Sequence, residues 1–205
     1  MVRTSESLGN SLRALAEREE AFARVLEAHG HPEPRASEPG VETLLRTIVG
    51  QQVSVQAARS MWNKLAAKFG QPVDLKVLLA ASDEEMRAAG MSRQKAGYLR
   101  SLAGLVLSGE LDLAHLPDDD EEAISELMKI KGIGRWSAEI YLLFAEGRHD
   151  IWPAGDLAVQ IEIGKLMGLD GKPTEKQLRE LAEPWRPHRG AAAVLAWHSY
   201  NAPPL

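Results

Sequence analysis

LMKIKGIGRWSAEIYLL, residues 127–143, decides how this chain folds, because it carries two apolar helical patterns separated by only a few residues. Leu127 and Met128 close one pattern; Trp136, Ile140, Leu143 and Phe144 resume it at helical spacing after Lys131-Gly132-Ile133-Gly134. An interruption that short joins two helices in a tight hairpin. The glycines permit positive φ and close approach of another backbone, while Ile133 between them anchors the turn to the core. The second helix starts there with N–H groups pointing outward, so an anion such as a phosphate can sit on amides without any basic side chain. Lys129, Lys131 and Arg135 surround the turn and add local positive potential. Taken alone, the two glycines fit an ordinary αα-hairpin better, one in which they serve only geometry.

Outward from the hairpin, helical spacing recurs and sustained period-2 alternation does not, so the fold class is all-α. Leu12, Leu15, Phe22, Val25 and Leu26 form one apolar stripe that stops at His29-Gly30-His31-Pro32, and residues 32–40 read as a linker. A helix from Val41 is expected to run through Ile48 and past Gln51-Gln52 toward Trp62. Ser82 to Glu85 fits a capping box, Gly90 a stop, Ser92 the next cap and Gly109 the end of that helix. The acidic block Asp118 to Glu122 reads as a solvated helix start, where carboxylates favour the positive end of the dipole. After a loop over residues 148–155 come helices from Asp156 to about Met167, from Thr174, and from Pro184 to Tyr200.

Composition removes several classes of chemistry. The 205 residues, 44% of them hydrophobic, suffice for one large domain or two small lobes with a packed core. With no cysteine there can be no disulfide, thiol nucleophile, zinc ribbon or cysteine-held iron–sulfur cluster. The six histidines show no metal-binding spacing, so no catalytic metal is expected. The opening MVRTSESLGN lacks a signal-like apolar stretch, and no run approaches the roughly 18 uninterrupted apolar residues of a membrane span, so the expected setting is soluble and intracellular. A net charge of −5 argues against coating nucleic acid by bulk electrostatics; any contact with DNA must be local.

The hairpin string resembles the helix-hairpin-helix signature of the DNA glycosylase superfamily named for that motif and its Gly/Pro-Asp loop, and is most similar to the DNA-3-methyladenine glycosylase II branch. DIWPAGDLAVQ (150–160) resembles the loop of that name, with Pro153 and Gly155 leading to Asp156. ETLLRTIVGQQVSVQAA (42–58), SRQKAGYLRSLA (92–103) and WRPHRGAAAVLAWHSY (185–200) resemble its opening, middle and closing segments, so the likeness runs in order from Val41 to Tyr200. It implies an all-α, two-lobed fold with a central cleft, one lobe spanning 34–147 and the other built from 1–33 plus 148–205. About forty residues precede the opening helix, so the compact form without an N-terminal sheet domain is expected. It further implies an enzyme that takes damaged double-stranded DNA, flips out an alkylated purine such as 3-methyladenine or 7-methylguanine, and hydrolyses the N-glycosidic bond; no strong exposed apolar stripe argues for a dimer, so a monomer is expected.

Read from the residues alone, Asp156 is an N-cap ahead of Leu157, Val159 and Ile163. The resemblance makes it the catalytic carboxylate, and the two roles are compatible because capping fixes the rotamer. Purine loss develops positive charge on the sugar, and a carboxylate ~4 Å away at an effective dielectric near 20 favours that charge by about 4 kcal/mol, roughly a thousandfold in rate. One carboxylate suits a purine that is already cationic, since such a leaving group needs no proton. Orienting or deprotonating the attacking water is an equally open role for it.

By the same resemblance Trp136 and Trp197 face the base, which an aromatic pocket holds by stacking and cation–π attraction. Ile140 and His198 complete that pocket where relatives carry aromatic side chains. Of the five tryptophans, most would otherwise be assigned to the core. Members that cleave the strand carry a lysine where this chain has Trp136, so no Schiff base can form there and a purely hydrolytic enzyme is expected. Gln52 is the implied wedge that fills the hole left by the flipped nucleotide, although as half of Gln51-Gln52 it also reads as a solvated helix residue. Gly132, Ile133, Gly134, Lys131 and Arg135 are the implied DNA contacts. The carbonyls of Met128, Ile130 and Ile133 are the implied ligands of a monovalent cation, Na+ or K+. A non-catalytic hairpin module would need the turn without Asp156, and a helical protein-interaction domain would need neither.

Overall fold

Polar side chains punctuate the chain so often that short helices alternate with caps from end to end. The computed structural model describes residues 4–203 and contains helices and loops but no strand among them. Residues 1–3 of the N-terminal stretch and residues 204–205 lie outside the described residues. Among the described residues no helix is long and apolar enough to cross a membrane. The chain divides into two compact units, Glu38–Tyr141 and the remainder, the latter made from both chain ends. The limits expected at 34 and 147 therefore draw in to 38 and 141. The linker's end is tied to its own unit, where the Ser37 amide donates to the Phe144 carbonyl at 2.9 Å.

The unit formed by Glu38–Tyr141 holds α3 (Val41–Gly50), α4 (Val55–Phe69), α5 (Leu75–Ala80), α6 (Asp83–Ala88), α7 (Arg93–Ser108), α8 (Asp120–Met128) and α9 (Arg135–Tyr141). Its caps follow the sequence. Ser82 and Glu85 form a reciprocal capping box, Ser92 accepts from the Lys95 amide, and Gly109 ends α7 in the left-handed region. In the acidic block Asp119 is the cap, accepting from the amides of Glu121 and Glu122. Each such cap contributes about 1 kcal/mol. Leu44, Leu45 and Ile48 of α3, Leu99 and Leu102 of α7 and Leu127 of α8 are essentially solvent-free and make the core of this unit. The single helix expected across Gln51-Gln52 is two: α3 stops at Gly50, Gln52 takes φ 55°, and Ser54 caps α4.

The other unit contains α1 (Ser5–Ala16), α2 (Glu20–His29), a π-helix (Leu142–Glu146), α10 (Leu157–Leu166), α11 (Glu175–Leu181), a 3-10 turn (Glu183–Trp185) and α12 (Arg189–Tyr200). The stripe from Leu12 to Leu26 is also broken into two helices. The corner is held by distant partners: the Arg18 guanidinium donates to the carbonyls of Pro184 and Arg186, and Glu19 accepts from the Trp185 indole. The last helix begins at Arg189 rather than Pro184, because Pro187 lacks the N–H that a continuous helix would use. Residues 189–196 of α12 are all buried, so this helix is the axis of its unit. Gly190 lets it approach the 148–155 loop: a Cβ there would stand 2.5 Å from the His149 carbonyl oxygen, to which the Gly190 amide donates at 2.9 Å. Trp185 lies edge-on to both Phe22 and Trp152 at 4.9 and 5.5 Å, and fills the centre of the unit.

Candidate functional site

Three consecutive ties make the loop before α10 rigid. The Trp152 indole donates to the Leu178 carbonyl at 3.2 Å, and the Asp156 amide donates to the Pro153 carbonyl at 2.9 Å. Buried Gln160 reaches back from α10 to the Ala154 carbonyl at 2.8 Å and is itself held by Lys172 at 2.7 Å. Asp156 follows as the N-cap, accepting from the Val159 amide at 3.0 Å. Its carboxylate is half-buried, and exposed Leu157 stands next to it. From α12 the Trp197 indole N–H donates to the same carboxylate oxygen, Oδ1, at 3.1 Å. Trp197 packs at 5.8 Å against Phe144 of the π-helix, and the Arg35 guanidinium lies over that ring at 5.1 Å.

Of the residues expected around a base, the structure thus joins Trp197 to Asp156. His198, one residue further along α12, has its Nε2 3.0 Å from the His29 carbonyl at the end of α2. Phe144 and Arg35 were not singled out in the sequence. Phe144 there was only one more apolar residue at helical spacing, and Arg35 one charge in a linker.

In the unit formed by Glu38–Tyr141, Trp136 and Ile140 line an open cavity of about 950 Å³ together with Gln51, Gln52, Lys95 and Tyr98. Trp136 is 48% exposed, unusual for a tryptophan that serves only the core. Beside it the hairpin turn has the expected anchor and one of the two expected glycine conformations. Ile133 is buried and its amide donates to the Ile130 carbonyl at 3.0 Å. Gly132 takes φ 85° with the Tyr98 ring pressed against it, so that a Cβ would stand 2.2 Å from a ring carbon. Gly134 has neither a positive φ nor a neighbour within 4 Å. The amide of Lys131 donates to Ser101, whereas among the described residues no acceptor meets the amides of Gly132 and Gly134. Those two N–H groups are open to an anion.

Arg135 has partners of its own within the protein. Its guanidinium is tied to Glu121, and to buried Glu139 at 3.0 Å, and the Glu121 hydrogen bond above all raises its pKa. A guanidinium so engaged is a structural brace of α8 and α9 before it is a phosphate ligand. Lys131 stays exposed, while Lys129 pairs with Glu126 at 2.7 Å. Gln52 is exposed at the tip of the α3–α4 loop. Its neighbour Gln51, read in the sequence only as a solvated residue, donates from Nε2 to the Gly132 carbonyl at 2.7 Å. Lys95 donates to the Val49 carbonyl at 2.6 Å, and burial lowers its pKa. Among the described residues the carbonyls of Met128 and Ile133 receive no hydrogen bond, while that of Ile130 receives one from Ile133 and keeps a second lone pair. That donor set fits a weakly held monovalent cation.

A family model described as HhH-GPD superfamily base excision DNA repair protein matches residues 45–187. The chain is 32% identical over 190 residues to DNA-3-methyladenine glycosylase 1 of Schizosaccharomyces pombe, covering 87% of this chain and 82% of that one. Among solved structures, a 3-methyladenine DNA glycosylase of the same yeast in complex with abasic DNA superposes with a TM-score of 0.79 at 28% identity, covering 94% of this chain and 97% of that one. A DNA-3-methyladenine glycosidase of Bacillus halodurans gives 0.82 at 28% identity, over 94% and 89% of the two chains.

Proposed function

Because this chain belongs to the HhH-GPD superfamily of base excision DNA repair proteins, we propose that it is a monofunctional DNA glycosylase that hydrolyses the N-glycosidic bond of alkylated purines flipped from duplex DNA. The observation that carries the reading is Asp156, a half-exposed N-cap whose Oδ1 also receives the Trp197 indole N–H. Two donors on one oxygen fix the carboxylate's direction, so its charge is in place before the sugar cation forms and no reorganisation is needed during the reaction. The purine leaves as a neutral base because alkylation already gave it a positive charge, and water completes the hydrolysis at the sugar carbon. Where a strand-cleaving enzyme would need an amine, Trp136 offers an indole, which forms no Schiff base. The enzyme acts as a monomer inside the cell, where its substrate is.

The duplex is gripped through the Gly132 and Gly134 amides, which is how an acidic protein can bind phosphate. A Na+ or K+ ion held by the carbonyls of Met128, Ile130 and Ile133 would add positive charge beside that phosphate. The test is release of 3-methyladenine and 7-methylguanine from methylated DNA by wild type and by Asp156→Asn. Asparagine caps a helix about as well as aspartate, so the variant folds and loses only the charge. Excision is expected to fall about a thousandfold with DNA binding retained. Wild-type binding without excision would leave only a DNA-binding module.

A further inference from the structure

The four-residue loop between α3 and α4 presents Gln52 in a backbone conformation that side-chain-bearing residues avoid, φ 55°, the sole such non-glycine residue among those described. Such a conformation persists only when its flanks over-determine it. Here they do. Before the loop, the Lys95 ammonium of α7 holds the Val49 carbonyl at 2.6 Å. After it, the Ser54 hydroxyl caps α4 through the Ala57 amide at 3.2 Å. Adjacent to Gln52, the Gln51 side chain spans 81 positions of sequence to donate to the Gly132 carbonyl at 2.7 Å. Gly132 in turn is fixed by the Tyr98 ring packed on it, and Tyr98 accepts a hydrogen bond from Gln94 one turn earlier on α7. Val53, next along, is 39% exposed, so the loop is restrained at its base and open at its tip.

We infer that Gln51 is a positioning residue: its hydrogen bond to Gly132 couples the phosphate-binding turn to the wedge, so that hairpin engagement sets the direction in which Gln52 enters the duplex. Lys95 is the second tie of the same device, acting through the end of α3. Neither side chain needs to touch DNA for this. Removing either tie lets residue 52 relax to an ordinary backbone conformation and turns its side chain away from the stack, while the hairpin amides keep their hold on phosphate. The inference rests on the reading of Gln52 as the inserted group.

The experiment is a double-mutant cycle on the full chain with wild type, Gln51→Ala, Gln52→Ala and the double variant. Each protein's affinity for a duplex containing a tetrahydrofuran abasic analogue is divided by its affinity for the same undamaged duplex. Gln51→Ala is expected to reduce that ratio about fivefold in the wild-type background, the worth of one hydrogen bond, and by less than about twofold once Gln52 is already alanine. Lys95→Met should show the same dependence on Gln52. Should Gln51→Ala melt early, Gln51→Glu keeps the side-chain shape and sets an acceptor against the Gly132 carbonyl. An equal loss in both backgrounds, or no loss, overturns the inference, since a merely structural role would not depend on residue 52. A wild type with no preference for the abasic duplex overturns it together with the wedge reading of Gln52. Excision of methylated purines by the wild type then decides separately whether the glycosylase reading stands.

Discussion

The Asp156 junction and the hairpin turn use opposite resources. In the proposed function one side chain carries the chemistry at the first, with the Val159 amide and the Trp197 indole on its carboxylate and Gln160 holding the loop before it. At the second, the same proposal puts the chemistry on the backbone: among the described residues two glycine amides meet no acceptor, and Arg135 is tied to Glu121 and Glu139. A charge needs a fixed direction, which rigid packing supplies; an amide pair needs only a fixed backbone, which a single positive φ and one apolar anchor supply. Substitutions should therefore act by chemical identity at the first region and by shape at the second.

The sharpest way to break that contrast is within the turn itself. Gly132→Ala puts a methyl group into the Tyr98 ring and leaves it at φ 85°, two independent penalties. It should lower stability by about 3 kcal/mol in urea unfolding and weaken binding to duplex DNA with it. Gly134→Ala meets nothing within 4 Å and no unusual φ, and should change stability by less than about 1 kcal/mol. Equal losses at the two positions would mean that the turn is not governed by shape.

At the carboxylate the corresponding experiment keeps shape and alters chemistry. Trp197→Phe retains an aromatic ring beside Phe144 and deletes the N–H that Asp156 accepts. Loss of one hydrogen bond to a charged group should lower single-turnover excision about tenfold, with little change in the thermal midpoint. A fall in stability with unchanged excision would assign that indole to packing and would remove the claim that it aims the carboxylate.

The same contrast governs what could be read in the sequence. Local rules were legible: Ser82 with Glu85, and Asp156, are caps as their spacing says, because a cap is made within one turn. The glycine turn and the exposed indole of Trp136 were legible as well. What failed depended on partners far along the chain. The stripe from Leu12 to Leu26 kept its period through residues 17–19, and the corner there is held by distant partners, the carbonyls of Pro184 and Arg186 on Arg18 and the Trp185 indole on Glu19. At the next break the Gln51 side chain is tied to a glycine 81 positions away. For a different reason the internal partners of His198 and Arg135 were not legible. Motif likeness identifies a position, but which neighbour a side chain at that position meets is decided by packing, and both found partners within the protein.

The smallest expected effect sharpens the comparison furthest, since it sets two cations of one turn against each other. Lys131 is exposed, whereas Arg135 is bonded to two carboxylates, one of them buried. If the turn holds phosphate by backbone, neither charge is essential, yet they should still differ. Lys131→Gln removes one screened charge near the phosphate. It should weaken duplex binding about twofold to threefold and reduce the slope of log K against log salt by roughly one counterion. Arg135→Gln removes the guanidinium from Glu121 and from buried Glu139, so it should cost stability, about 1–3 kcal/mol, and leave the salt slope unchanged. The titration separates the cases because counterion release counts only charges that reach the phosphate. A slope that falls with Arg135→Gln would show that the guanidinium abandons its carboxylates when DNA arrives, and the turn would then grip by side chain as well as by backbone.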